Sequence, residues 1–262
     1  MGRFVYFIDC LTNLHMGSGD ENYSVVDKQV ERDPINGNPI IHASGIKGAL
    51  RDIMDERDKH EAERIFGKPC KKDSRDDSGG LYHFCDARLL YRPLRCSNGT
   101  IPSIHTTTEA MLNDYIDFSE AFGMKTGLTP IEAQAFGENE FIATADCVCV
   151  EAEKTGRLSD AIKDRYKVIL GEDFAIAKSL DNYDLPVIAR NNLGEHRNLW
   201  YEEYVPHGSR FYMLILTPDG EDAEKLFPED HIVQIGGNAS VGYGYCRFTL
   251  VGSAGKGVVS HE

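Results

Sequence analysis

The sequence predicts an α+β fold of the ferredoxin-like kind, and three observations lead there. Strand-like apolar runs open the chain at 3–14, recur at 81–94 and 210–217, and return at 231–235. Segments with helical apolar spacing separate them at 44–66 and, more briefly, at Glu221 to Phe227. The resulting order of strand, helix, strand, strand, helix, strand is the ferredoxin-like one. Residues between the second and third strands then enter as insertions into a single domain spanning 1–262.

Residues 3–14 are rich in Phe, Val, Tyr and Ile and contain neither Pro nor Gly, the composition of a buried strand. His15-Met16-Gly17-Ser18-Gly19 ends it. Two glycines permit positive φ and let backbone N–H groups approach an anion closely, although such a turn also serves simply to turn. From Asp20 to Pro39 the chain is a polar loop or hairpin containing the turn sequence Asp33-Pro34-Ile35-Asn36-Gly37. Its acids are Asp20, Glu21, Asp27, Glu31 and Asp33. Asp27 differs from the rest in following Val25-Val26, an apolar pair able to pin it against the fold.

Ser44 is the expected N-cap of the next helix, with Ile46, Leu50, Ile53 and Met54 on its buried face. Lys47 and Arg51 share a neighbouring face, and Gly45 and Gly48 leave the backbone beside Lys47 uncovered. A helix N-terminus with a lysine in its first turn suits a phosphate; the alternative is a surface lysine on an amphipathic helix. Helical character continues to Phe66 and stops at Gly67, and 68–80 reads as a mixed-charge loop. In the strand that follows, Arg88, Arg92 and Arg95 are expected to form a basic stripe. Residues 96–144 receive no assignment.

Arg157 to Leu170 has the spacing of a core-packing helix. Leu185 to Arg190 and Leu199 to Tyr204 flank a polar turn and read as a projecting β-hairpin. It carries Trp200, Tyr201 and Tyr204, which either stack on bases or bury in a sheet. The closing glycines, Gly236, Gly237, Gly242 and Gly244, sit between two strands with no helix after them. That excludes the Rossmann and P-loop readings. The two glycine segments are expected to meet.

The formal net charge of −14 over 262 residues argues against surface-wide nucleic-acid binding, so any RNA is expected in a local basic groove. Seven cysteines without a C-x-x-C pair point to free thiols in a reducing cytoplasm rather than to zinc. The first apolar run breaks at Asp9, too short for a secretory leader, and no stretch has the length of a membrane helix. A cytosolic protein without a membrane partner is expected.

The run Gly236 to Gly244 has the form G-G-x-x-x-x-G-x-G and resembles the glycine-rich loop of the RAMP superfamily of CRISPR proteins. His15-Met-Gly-Ser-Gly, Val26-Asp27, Arg32, Pro39 to Asp52, Phe66-Gly67, Asp86 to Leu90 and Glu202 to Pro206 resemble, in order, the backbone subunit of type III-B (Cmr) effector complexes, the fourth Cmr subunit. The resemblance implies an RRM-like core that stacks with copies of itself along a CRISPR guide RNA. Other type III-B effector subunits complete the assembly, and a thumb hairpin kinks the guide–target duplex.

It further implies that a loop aspartate cleaves complementary target RNA at each kink with Mg²⁺ or another divalent metal ion, leaving a 2′,3′-cyclic phosphate and a 5′-hydroxyl. By motif position that residue, catalytic and metal-holding, is Asp27, and Lys47 is the guide-backbone lysine. Gly17, Ser18, Gly19, Ser44, Arg51, Gly236, Gly237, Gly242 and Gly244 are the other expected RNA contacts. His15 is a candidate acid or base, as are Glu203 and Tyr204. Two departures stand out: Ser44-Gly45-Ile46 replaces the family's Ser-Ser-Leu, and the chain is shorter than many relatives. A non-catalytic RNA-binding backbone subunit is the alternative from another class, and a nucleotide-binding enzyme is a third.

Overall fold

A computed structural model describes residues 1–17, 19, 25–68, 79–95, 102–128, 141–143, 149–151, 160–171, 174–177, 179–180, 184–192 and 198–255. Strand β1 (Gly2–Cys10) has apolar residues on both faces, Phe4, Tyr6 and Ile8 on one and Val5 and Phe7 on the other, all buried. It is a central strand for that reason. A short β2 (Ile40–Ile41) leads into helices α1 (Ala43–Arg57) and α2 (Lys59–Phe66), then β3 (His83–Phe84) and β4 (Ala87–Arg95).

The insertion holds β5 (Ser103–Thr108), α3 (Glu109–Ala121), β6 (Phe141–Ala143), β7 (Cys149–Glu151), α4 (Asp160–Leu170), β8 (Phe174–Ala177), β9 (Val187–Asn192) and β10 (Asn198–Glu203). The chain closes with β11 (Arg210–Thr217), β12 (Ile232–Gln234) and β13 (Tyr245–Ala254).

The main sheet runs β12-β13-β1-β11-β4-β5-β8. Its segment β13-β1-β11-β4 is antiparallel throughout and has the fourth-first-third-second order of a ferredoxin-like core. One face carries Phe4, Tyr6 and Ile8 in a common core with Ile46, Leu50 and Met54 of α1. The other packs Phe7 and Tyr212 with Leu112, Tyr115 and Ile116 of α3, so an inserted helix covers the second face. Each such side chain contributes about 1.5–3 kcal/mol on burial. The hairpin β9–β10 is a two-stranded sheet of its own, as expected of a projecting element, with Val187, Ile188, Leu199 and Tyr201 exposed.

Several local expectations are corrected. The first strand ends at Cys10, and by Leu14 the chain has left its neighbours β11 and β13: the Leu14 N–H donates to Val205 O. The strand at 231–235 is the edge strand β12; the one lying against β1 is β13. The helix expected at Glu221 to Phe227 is instead a single 3-10 turn at Glu224–Leu226.

Ser44 is not the N-cap of α1. His42 holds that position without a side-chain bond, and Asp86, from the turn before β4, caps the helix from outside by accepting the Ala43 N–H at 2.7 Å. The expected helix at 157–170 spans Asp160–Leu170 and buries Tyr166, Ile169 and Leu170; most of the expected loop at 68–80 lies outside the described residues.

A charged cluster ties α2 to the 3-10 turn. Arg64 bridges Glu61 at 2.7 Å and Glu221 at 2.5 Å, Lys225 reaches both carboxylates at 2.8 Å, and the Tyr82 hydroxyl donates to Glu221. Hydrogen bonding from Arg64 first, then from Lys225, holds the Glu61 carboxyl down at about 2, and Glu221 is lowered by the same partners. A depressed carboxylate stabilises the fold above its unfolded-state value and loses that contribution as pH falls through its folded-state value. Denaturant midpoints are therefore expected to fall between about pH 4.5 and about 2. Arg64→Ala should flatten that slope in a urea titration.

Candidate nucleic-acid interface

The two glycine segments meet. Leu14 and Val205 exchange backbone hydrogen bonds at 2.9 and 2.8 Å, which carries His15 into contact with the end of β10. His15 is buried, and its Nδ1–H donates to Glu203 O at 2.7 Å. Its own carbonyl accepts the Gly237 N–H at 2.9 Å, and the Gly244 N–H donates to Asn13 O at 2.8 Å. Gly236 sits at φ +78°, where a Cβ would overlap the His15 carbonyl oxygen and lie 2.8 Å from Met16 Sδ. Gly236→Ala should cost about 1–3 kcal/mol in backbone strain alone and push the two segments apart. Thermal unfolding and RNA affinity should both fall.

Gly244 is buried with its amide spent, so it shapes the loop rather than presenting an N–H to a ligand. Gly236, Gly237 and Gly242 are exposed, as are Ala239, Ser240 and Val241 between them. Gly19 is exposed at φ +77°, and Ser18 lies outside the described residues.

The loop carrying Asp27 runs along β10. Asp27 Oδ2 accepts the Tyr201 N–H at 2.7 Å, the Lys28 N–H donates to Tyr201 O at 3.1 Å, and the Glu203 N–H donates to Lys28 O at 2.9 Å. Glu203 then clamps the loop beyond: its Oε2 accepts the Val30 N–H at 3.0 Å and its Oε1 the Arg32 guanidinium at 2.5 Å. Asp27 itself stays exposed. The result is a solvent-facing carboxylate on a fastened backbone. Val26, expected to pin it, is half-buried, whereas Val25 is exposed.

Cations and aromatic rings gather beside it. Lys28 Nζ lies 5.1 Å from the Trp200 ring centre, and the Arg190 guanidinium 4.8 Å from that of Tyr243, which meets Tyr204 edge-on at 5.9 Å. Tyr201 is exposed, and Trp200 and Tyr204 are half-buried. Beneath them Glu202 is fully buried, accepting from Arg190 Nε at 3.2 Å, from Trp200 Nε1 at 3.4 Å and from the Asn238 amide of the glycine loop. One carboxylate thus joins the hairpin to the loop.

Helix α1 reaches the same place, since a Cβ on Gly45 would lie 3.0 Å from Met16 Cε. Lys47 is half-buried with no hydrogen bond or ion pair to the described residues, and Gly48 beside it is open. Ser44 is exposed. Arg51 is drawn to Asp55 at 3.4 Å. The expected basic stripe on β4 does not form: Arg88 pairs with Asp114 of α3 at 2.8 Å, Arg92 is buried under carbonyls of Leu180 and Asp184, and Arg95 is exposed at the strand end.

Sequence reasoning missed Glu202, Arg190, Lys28, Asn238 and Tyr243. The adjacent acids Glu202-Glu203 were the available signal: consecutive strand residues point to opposite faces, and both carboxylates are buried.

Among the described residues no group of three or more His, Cys, Asp or Glu side chains converges to hold a metal. Asp27 offers one carboxylate oxygen beyond the one bonded to Tyr201. That donor set fits a hydrated Mg²⁺, which keeps several waters and takes one or two carboxylates together with substrate phosphates.

The RAMP superfamily description matches residues 7–247. A curated relative, the CRISPR system Cmr endoribonuclease Cmr4 of Pyrococcus furiosus, is 27% identical over 95% of this chain and 96% of its own length. Among solved structures, a chain of the type III-B Cmr-β complex bound to cognate target RNA aligns with TM-score 0.71 at 19% identity, covering 95% of this chain and 97% of that one. Oligomeric Cmr4 from Pyrococcus furiosus aligns with TM-score 0.68 at 23% identity, over 95% and 98%. The ferredoxin-like order of β13-β1-β11-β4, the glycine loop locked onto His15 and the match along nearly the whole length agree: the chain belongs to the RAMP superfamily.

Proposed function

We propose that this chain is the backbone subunit of a type III-B CRISPR effector complex in the cytoplasm. It binds guide RNA beside further copies of itself and other effector subunits, and cuts complementary target RNA at regular intervals. The relative matched over nearly the full length of both chains is named as an endoribonuclease of such a system, and an aligned structure of the same fold was solved with target RNA. The observation that carries the reading is Asp27, an exposed carboxylate fastened to Tyr201 of the hairpin, on a loop that bridges Gly17 of the first glycine segment through Val30.

Cleavage to a 2′,3′-cyclic phosphate needs the 2′-oxygen in line with the phosphorus; that oxygen attacks, its proton leaves, and the 5′-oxygen departs as a hydroxyl. The protein's part is positioning, proton handling and charge neutralisation. Lys47 and the exposed glycines hold the guide backbone, and the aromatic patch at Trp200, Tyr201 and Tyr204 lies where bases would stack. Asp27 acts at the 2′-oxygen, by accepting its proton or by holding a hydrated Mg²⁺. A bound divalent ion would neutralise charge developing on the phosphate.

His15 is placed to hold rather than to shuttle protons. Its ring is buried between Glu203 O and Gly17, where it fixes the glycine turn. The test is the assembled complex with an end-labelled, fully paired target. Regularly spaced products ending in cyclic phosphate, abolished by EDTA while RNA binding persists, are expected. A complex that binds the target and yields no products would be the structural subunit instead.

A further inference from the structure

His42 opens helix α1 with its ring set between two carboxylates, and none of the roles above uses it. Nε2 lies 3.4 Å from Glu31 Oε1, on the loop that carries Asp27, and Nδ1 lies 3.5 Å from Asp86 Oδ2, in the turn before β4. Both acids are held in place. The Glu31 N–H donates to Met16 O at 2.7 Å and its carbonyl accepts the Ile40 N–H at 3.1 Å, while the other oxygen of Asp86 accepts the Ala43 N–H. The ring itself is half-exposed and bonds none of the helix's free amides.

No lysine or arginine among the described residues pairs with either acid. The cations nearest them in sequence are turned elsewhere, Arg32 to Glu203 and Arg88 to Asp114, so Glu31 and Asp86 are the charged groups that face the ring. A neutral imidazole carries one N–H, and its other nitrogen would then point a lone pair at a carboxylate; only the imidazolium donates to both. Imidazole is also the side chain whose charge changes near neutral pH. The trio therefore carries a net charge of −1 with the ring protonated and −2 without. It stands at the N-terminus of the helix whose Lys47, five residues on and about 8 Å along the axis, has no ion pair to the described residues.

We propose that guide-RNA binding at α1 is linked to a proton on His42: the imidazolium screens Glu31 and Asp86 from the incoming phosphate, and the neutral ring exposes it to both. The proposal rests on the guide-binding reading above. By linkage, RNA bound at this helix draws the proton on, as the proton draws RNA.

The test is the affinity of the full chain for a labelled guide RNA, read by fluorescence anisotropy between pH 6 and pH 8 at constant ionic strength. Wild-type affinity is expected to fall about five-fold across that window, the effect of one exposed charge close to a phosphate. His42→Gln should bind weakly and without that slope. Its cap survives, because Asp86 and not His42 accepts the Ala43 N–H. His42→Lys should keep the low-pH affinity up to pH 8. Glu31→Gln combined with Asp86→Asn should bind more tightly than wild type at pH 8, a gain that the loss of a purely structural contact would not produce. A wild-type affinity that is flat with pH, or a slope that persists in His42→Gln, overturns the proposal and leaves the guide-binding reading standing. A chain that takes up no guide at either pH would sink that reading and the proposal with it.

Discussion

Asp27→Asn is expected to slow target cleavage by at least about a hundred-fold, within the range that proton handling by one positioned group supplies. Asparagine is the informative replacement. Its side-chain oxygen still accepts the Tyr201 N–H that now bonds Oδ2 at 2.7 Å, and the neighbouring bonds, Lys28 N–H to Tyr201 O and Glu203 N–H to Lys28 O, involve backbone alone. The loop should therefore keep its course while the negative charge disappears. Guide and target binding should be unchanged, because Lys47, the glycine segments and the aromatic patch lie on other elements. Single-turnover cleavage beside filter binding separates the two quantities. Asp27→Asn that cuts at the normal rate would remove the carboxylate from the reaction.

The same geometry explains how a chain of net charge −14 can hold a polyanion. Exposed acids such as Asp52 and Glu56 sit further along α1 than its N-terminus, and Glu61 and Glu221 are neutralised by Arg64 and Lys225 on another part of the surface. Lys28 and Lys47 are left around the junction of hairpin and glycine loop, where Arg190 is already paired with Glu202. The basic surface is local, assembled from residues far apart in the chain.

That origin decides what could be read from the sequence. β1, β4 and β11 were legible because a central strand shows itself by apolar residues on both faces, and α1 because Ile46, Leu50 and Met54 repeat at helical spacing. Ser44 misled because a cap from a distant turn, Asp86, leaves no trace next to the helix it closes. The arginines of β4 misled in the same way: whether Arg88 faces solvent depends on Asp114, in a helix the sequence left unassigned. The meeting of the two glycine segments could be anticipated from their chemistry, but the partner that enforces it, the His15 backbone, could not. Strand β13 was overlooked as the fourth core strand because its outward positions, such as Arg247 and Thr249, dilute the apolar signal that β12 carries.

Glu202→Ala is expected to be the most destabilising single change in this region. Glu202 is fully buried and its partner Arg190 has a side chain only 17% exposed, so removing the carboxylate strands a guanidinium that already has one nitrogen, Nη2, without a partner among the described residues. Breaking a buried pair from one side costs about 3–5 kcal/mol, which for a chain of this size lowers Tm on the order of ten degrees. Glu202→Gln should cost less, since an amide oxygen can still accept from Arg190 or Asn238. Where the damage falls is also readable. Trp200 is the only tryptophan and donates to Glu202 Oε2, so its emission reports the junction directly. If Glu202 holds the hairpin to the glycine loop, Trp200 emission in Glu202→Ala should shift well below the global unfolding midpoint measured by circular dichroism. Coincident transitions would make Glu202 a stabiliser of the whole fold, with no special hold on the hairpin.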